Sequence, residues 1–178
     1  LSEKRELYEK ARKEMRLSER ILAELPGFRG YKEKEIRRET DRLLRNHLYQ
    51  KLSRAKNNLK DVFQQLSENR QFGILNEMDR LVMKFDRIAE KINHASYGYA
   101  GFFNVLKIDE EKLDKMYDVD DKLLEETSKI LEVTSTFKGD VLKKKFEKVN
   151  DHVQKINLLI ESLEEKFDER GDIVIGVR

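Results

Sequence analysis

The chain has 178 residues, room for one domain with a sizeable core, and no cysteine, which excludes disulfides, thiolate ligation of zinc or iron–sulfur clusters and thiol nucleophiles. Charged residues make up 40% and apolar ones 38%, with a single proline, and no window reaches the ~18 apolar residues of a membrane span. The net charge of +2 hides an asymmetry: residues 1–60 hold 18 Lys/Arg against 10 Asp/Glu, so the remainder is net acidic, a polarity that bears on partners rather than on fold.

Taken in order, residues 2–24 read as a first helix. Tyr8, Ala11, Met15, Ser18, Leu22 and Leu25 recur at alternating steps of three and four, the seam of a packed helix. Ser2 fits an N-cap, and Pro26 and Gly27 end the helix. After the loop Pro26–Tyr31 a second helix is expected from about Tyr31 to Glu68, roughly 57 Å long at 1.5 Å per residue. Its seam is Ile36, Thr40, Leu43 or Leu44, Leu48, Leu52, Ala55, Leu59, Val62 and Leu66. Two successive steps of four between Leu44 and Leu52 form a stutter. Asn69–Gly73 is the next break. A third helix, Ile74 to about Asn93, carries Ile74, Met78, Leu81, Phe85, Ile88 and Ile92, and Leu75, Val82 and Ala89 widen that face.

His94–Ile108 is the one long interruption, and it gathers two of the eight glycines and four of the aromatics. Asp109 then caps a fourth helix, with Glu110 and Glu111 in its first turn where the helix dipole favours them. It is expected to reach about Thr136 on a face of Leu113, Met116, Tyr117, Leu123, Leu124, Ile130 and Leu131. Asp120 and Thr127 interrupt that face and suggest a half-buried helix. Gly139 and Asp140 open a fifth helix with Asp140 as cap and a seam of Leu142, Phe146, Val149, Val153, Ile156, Ile160, Leu163 and Phe167. It ends at Gly171, and the β-branched residues 172–178 read as an extended tail.

The expected fold is all-α: an elongated antiparallel bundle of about five helices with coiled-coil-like, left-handed packing near +20°, one domain over residues 1–171. No repeat of fixed period points to a solenoid.

Three places could carry function. The first is Phe28, Arg29, Tyr31 and Lys32 with Lys34, Arg37, Arg38, Arg42 and Arg45, where a helix start and nearby cations could hold an anion and the rings could stack on a base. Glu33, Glu35, Glu39 and Asp41 lie three or four residues from these cations and offset them. The second is Tyr97, Tyr99, Phe102 and Phe103 among glycines: a binding surface, or an apolar plug closing one end of the bundle. Alternating helices would bring both loops to one end as a composite surface. The third is an acidic stripe of Glu110, Asp114, Asp118, Asp121 and Glu125, which could hold Mg²⁺ or simply face solvent; Glu161, Glu164, Glu165 and Asp168 suggest a second acidic cluster. Glu90 and His94 sit one turn apart, but Glu-x-x-His does not occur, and neither do nucleophile-elbow, phosphate-loop or His-Glu-x-x-His motifs.

Leu25-Pro-Gly-Phe-Arg-Gly-Tyr-Lys-Glu-Lys-Glu-Ile-Arg-Arg-Glu-Thr-Asp-Arg-Leu-Leu-Arg45 and Tyr97-Gly-Tyr-Ala-Gly-Phe-Phe103 resemble stretches of an uncharacterised group of prokaryotic all-helical proteins. The resemblance implies no activity for any residue.

The residues therefore point to a non-enzymatic helical scaffold or interaction module in the cytoplasm. It would present Phe28, Arg29, Tyr31, Lys32, Arg37, Arg38, Tyr97, Tyr99, Phe102 and Phe103 to a protein partner or to itself, with no cofactor and no metal. Nucleic-acid or polyanion binding through the basic residues 29–60 is the alternative, and metal-dependent hydrolysis on the acidic face of the fourth helix is the third reading.

Overall fold

Apolar residues spaced by three and four turn into helix almost wherever they occur. The computed structural model describes residues 2–97 and 101–176, and the side chains of these apart from residues 2, 3, 7 and 14. The expected Ser2 side-chain cap thus lies outside what is described. The described residues form six α-helices: α1 Ser2–Glu24, α2 Arg37–Glu68, α3 Leu75–Asn93, α4 Gly101–Asn104, α5 Glu110–Leu142 and α6 Val149–Ile175. Short 3₁₀ turns at Lys34–Ile36, Phe72–Ile74 and Phe146–Lys148 lead into α2, α3 and α6. No strand occurs among the described residues, and none of their helices is long and apolar enough to cross a membrane.

Several boundaries differ from the expectation. The second helix begins at Arg37 rather than Tyr31, because Gly30 takes φ +76 and the Arg37 guanidinium occupies the carbonyls of Tyr31 and Lys32. The fourth does not stop near Thr136. It passes through Gly139 to Leu142, with Phe137 and Val141 buried on either side of the glycine. Asp140 is therefore no N-cap. The last helix passes through Gly171 to Ile175 and buries Ile173 and Val174, so the extended tail at 172–175 is corrected to helix. A mid-helix glycine costs only about 1 kcal/mol, less than burying such neighbours returns. Asp109 does cap α5, its carboxylate accepting the Lys112 N–H at 2.8 Å.

The chain divides into two compact units, one of Leu1–His47, Ser96–Leu124 and Lys166–Arg178, the other of Leu48–Ala95 and Glu125–Glu165. In the second, Leu52, Ala55, Leu59, Val62 and Leu66 of α2 are buried, as are Met78, Leu81, Phe85, Ile88 and Ile92 of α3. Ile130, Thr134 and Phe137 of α5 and Val153, Ile156, Ile160 and Leu163 of α6 complete that core. Helices joined by a tight turn run antiparallel, as Lys56 bonding Asp86 and His152 bonding Asp140 record. Across the two hairpins the direction is parallel. Lys51 bonds Ser128, Asn58 bonds Thr134 and Lys138 bonds Asp61, so positions on α2 and α5 rise together. Lys84 with Asn157 and Arg87 with Glu164 show the same for α3 and α6. A wholly antiparallel bundle is thus corrected: only short connections impose that direction.

In the first unit the core is Leu17 and Ile21 of α1 and Leu25 just after it, with Phe28, Tyr31, Ile36, Leu44, Phe102, Phe103, Leu113, Met116 and Tyr117. The seam expected for α1 is out of register. Tyr8 is 70% exposed, Met15 59% and Leu22 49%, while Leu17 and Ile21 turn inward.

Candidate functional site

The two unusual loops do meet, but inside the first unit. The Tyr31 ring centroid lies 5.5 Å from that of Phe102 and 5.8 Å from that of Phe28, and Phe102 lies 5.5 Å from Phe103, mostly edge to face. Phe28, Tyr31, Phe102 and Phe103 are all buried. The composite surface is therefore corrected to a plug. Gly30 makes it possible: a Cβ there would stand 2.6 Å from the Tyr117 hydroxyl, and that hydroxyl accepts the Tyr31 N–H at 3.3 Å. Tyr97 is half-buried beside Phe103, and Tyr99 lies outside the described residues.

Arg37, expected at a partner or phosphate, is wholly buried and bound to backbone. It donates to the carbonyls of Tyr31 (2.6 Å), Val105 (2.7 Å), Lys32 (3.1 Å) and Phe102 (3.3 Å). A guanidinium holds five fixed N–H donors, which suits it to tie two irregular segments together. Arg38 reaches Asn104 at 3.0 Å with its guanidinium over the Phe103 ring, and Arg45 holds Asp41 at 3.0 Å. Arg29 and Lys32 are exposed. The basic tract is thus partly consumed by the fold.

Beneath the plug lies a polar cluster that the sequence reading did not find. Arg170 on α6 is wholly buried and donates to Asp120 on α5 (2.7 Å), Asp41 on α2 (2.6 Å), and the hydroxyls of Tyr31 (3.0 Å) and Tyr97 (3.1 Å). The Tyr31 hydroxyl in turn donates to the second Asp120 oxygen. Burial, then the Asp120 charge, pushes the Tyr31 pKa well above its ordinary value. Burial opposes the charged guanidinium of Arg170, but Asp120, Tyr31 and Asp41 outweigh it and hold its pKa above the usual arginine value. With its Nε, Nη1 and Nη2 all aimed at partners, Arg170 clasps α2, α5 and α6 together. The signal for it was Asp120, which interrupted an apolar face. That residue and Thr127 are fully buried, which corrects the half-buried expectation for this helix.

A groove in this unit lies along α1. It has about 490 Å³ and is lined by Ala11, Met15, Ser18, Glu19 and Leu22 of α1, with Phe28, Arg29, Gly30, Lys32 and Tyr117 opposite. Tyr8, Ala11, Met15 and Leu22, expected in the core, are thus exposed, with the half-buried Ser18 among them, and all but Tyr8 line the groove.

The acidic stripe is largely answered by cations. Asp121 pairs with Arg20 at 2.9 Å, Asp118 with Lys122 and Glu125 with Lys129. In the second cluster Glu161 meets Lys84, and Glu164 meets Arg87 and Lys91. His94 and Glu90 form an exposed pair at 2.9 Å. Among the described residues no group of three or more His, Cys, Asp or Glu is placed to hold a metal ion. His152 stacks on Phe137 with centroids 4.8 Å apart and meets Asp140 at 2.9 Å. The chain matches no protein-family model, no curated protein and no solved structure.

Proposed function

We propose that the chain is a non-enzymatic helical interaction module that docks through the exposed stripe of α1, and that the occupant of the stripe is α1 of a second copy. The observation that carries this is the heptad spacing of Tyr8, Ala11, Met15, Ser18 and Leu22 on a helix whose other apolar face is already buried. Set antiparallel, the stripe complements itself. Tyr8 meets the second copy's Ser18, Ala11 meets its Met15, and Leu22 meets its Lys4, whose aliphatic stem can lie along the leucine. Large residues thus fall opposite small ones, the pattern that lets layers interdigitate. The shifted register that sets Tyr8 against Leu25 is closed, because Leu25 is buried.

Charge agrees with the same register. Arg12 and Glu19 are exposed on the flank of the stripe. Helical side chains lean toward the N-terminus, which brings Arg12 of each copy to Glu19 of the other and carries the two arginines apart. The two-fold repeats the pair. Left-handed packing near +20° between heptad seams belongs to this reading.

Sedimentation equilibrium tests it. The full chain is expected to be a dimer, and Met15→Glu, which places a charge at the centre of the stripe, a monomer with unchanged helicity. Full burial of a methionine is worth about 2 kcal/mol, so losing two per dimer weakens association about a thousandfold. A chain that stays monomeric at every concentration, or a dimer indifferent to Met15→Glu, rejects the reading.

A further inference from the structure

The α2–α3 and α5–α6 turns of the second unit are built alike. Arg70 N–H donates to Ser67 O at 3.1 Å and Gln71 N–H to Leu66 O at 2.9 Å; Lys144 N–H donates to Val141 O at 2.9 Å and Lys145 N–H to Asp140 O at 3.0 Å. The residue at each bend is left-handed, Arg70 at φ +59 and Lys144 at φ +58. Glycine is the usual occupant of that position, and a side chain there is strained. Both turns nevertheless place a basic residue at it. The two turns share one groove of about 370 Å³, lined by Gln71, Gly73 and Ile74 from one and Phe146, Val149 and Asn150 from the other. They therefore sit at the same end of the unit.

Phe72 is 62% exposed and Leu142 56%, and neither lines that groove. Arg70, Lys143 and Lys144 are exposed beside them in sequence. Lys145 and Lys148 lean on Asp140, which His152 also holds. The other acids near this end are Glu147, the exposed Asp151 in the first turn of α6, Glu77 at the groove, and Glu68, which accepts from Gln64 and Gln65, so the cations stand out at the two bends rather than over the whole end.

We propose that this end docks on an anionic lipid surface, with Phe72 and Leu142 entering the headgroup layer and Arg70, Lys143 and Lys144 lying against lipid phosphates. A protein partner would need a pocket shaped for each exposed anchor. A lipid layer receives large apolar side chains without such shape matching, and anionic headgroups complement the cations around them. Basic residues kept at two strained bends are what a charge-reading surface would retain at the expense of stability.

The chain has no tryptophan, so Phe72→Trp supplies a single reporter in the full-length protein. Its emission is expected to shift to the blue, and the protein to co-sediment, with phosphatidylcholine vesicles containing phosphatidylglycerol but not with phosphatidylcholine alone. Arg70→Gly with Lys144→Gly separates function from folding. The pair is expected to melt higher, because glycine relieves both bends, yet to bind anionic vesicles about 25-fold more weakly, at about fivefold per basic residue. Absence of any blue shift at low salt, an equal shift with neutral vesicles, or undiminished binding by the glycine pair overturns the proposal. Binding to polyglutamate without binding to vesicles does so too, in favour of an acidic protein.

Discussion

Replacing Arg170 by methionine removes the donor of four hydrogen bonds while keeping much of the side-chain volume. The consequence falls unequally on the two carboxylates. Asp41 keeps Arg45 at 3.0 Å, whereas Asp120, fully buried, keeps only the Tyr31 hydroxyl among the described residues. Stripping one partner from a buried pair costs about 3–5 kcal/mol, a large share of the roughly 5–15 kcal/mol that holds a domain together. Asp120 can escape by taking up a proton. Burial already raises its pKa from 3.8, and losing Arg170 raises it further. A carboxyl whose folded pKa exceeds its unfolded one binds more protons when folded, so stability declines as pH rises through that window. Arg170→Met should therefore be less handicapped in mild acid than above neutrality, with a slope of up to about 1.4 kcal/mol per pH unit. Adding Asp120→Leu should recover much of the loss and abolish the slope. Urea melts followed by far-UV circular dichroism read both effects. A loss under about 1 kcal/mol that stays flat with pH would refute a charged, stability-bearing cluster.

Other perturbations reach the same region. Gly30→Ala should destabilise by about 1–3 kcal/mol, from φ +76 and from the Tyr117 hydroxyl 2.6 Å from the new methyl; because Tyr117→Phe by itself gives up the bond from the Tyr31 N–H, thermal melts of a double-mutant cycle separate the parts, with Gly30→Ala costing less in Tyr117→Phe than in the parent and the remainder being backbone strain. Because the folded state holds the Tyr31 proton well above its ordinary value of 10.0, stability is kept below that pH and lost above it as the unfolded chain ionises. The alkaline slope should be steeper by up to about 1.4 kcal/mol per pH unit in the parent than in Tyr31→Phe, and equal slopes would contradict the burial of that hydroxyl.

How far the sequence was legible depended on what filled each stripe. The run from Leu48 to Leu66 and, on α3, the steps from Met78 to Ile92 bury as read, because one uninterrupted apolar seam leaves a helix a single way to face a core, while Ile74, Leu75 and Val82 are only half-buried. On α1 two seams compete. Of the longer, from Tyr8 to Leu25, Leu25 is buried as expected, but Tyr8, Met15 and Leu22 are exposed and Leu17 and Ile21 face the core in their place. Glycine was a poor guide to helix ends: Gly139 and Gly171 sit mid-helix with nothing within 4 Å of an added Cβ. The break at Arg70 falls inside the expected Asn69–Gly73, whereas the one at Lys144 carries no turn signature. At the candidate site, Phe28, Tyr31, Phe102 and Phe103 were singled out together and do meet, but period and spacing carry no sign of whether a loop aromatic turns in or out. The clasp was hidden for a related reason. Asp120 and Arg170 lie 50 residues apart, and a polar residue on an apolar face announces an interruption without naming its partner.

The antiparallel α1 pairing makes one demand that composition alone cannot meet. With no native cysteine to interfere, chains carrying only Ala11→Cys can be mixed with chains carrying only Met15→Cys and oxidised. Facing positions of one layer come within disulfide reach, so the mixed disulfide should form ahead of either like pair. Like pairs in equal measure, or no cross-link under conditions where the thiols are reactive, would contradict the assignment of this stripe to a second copy.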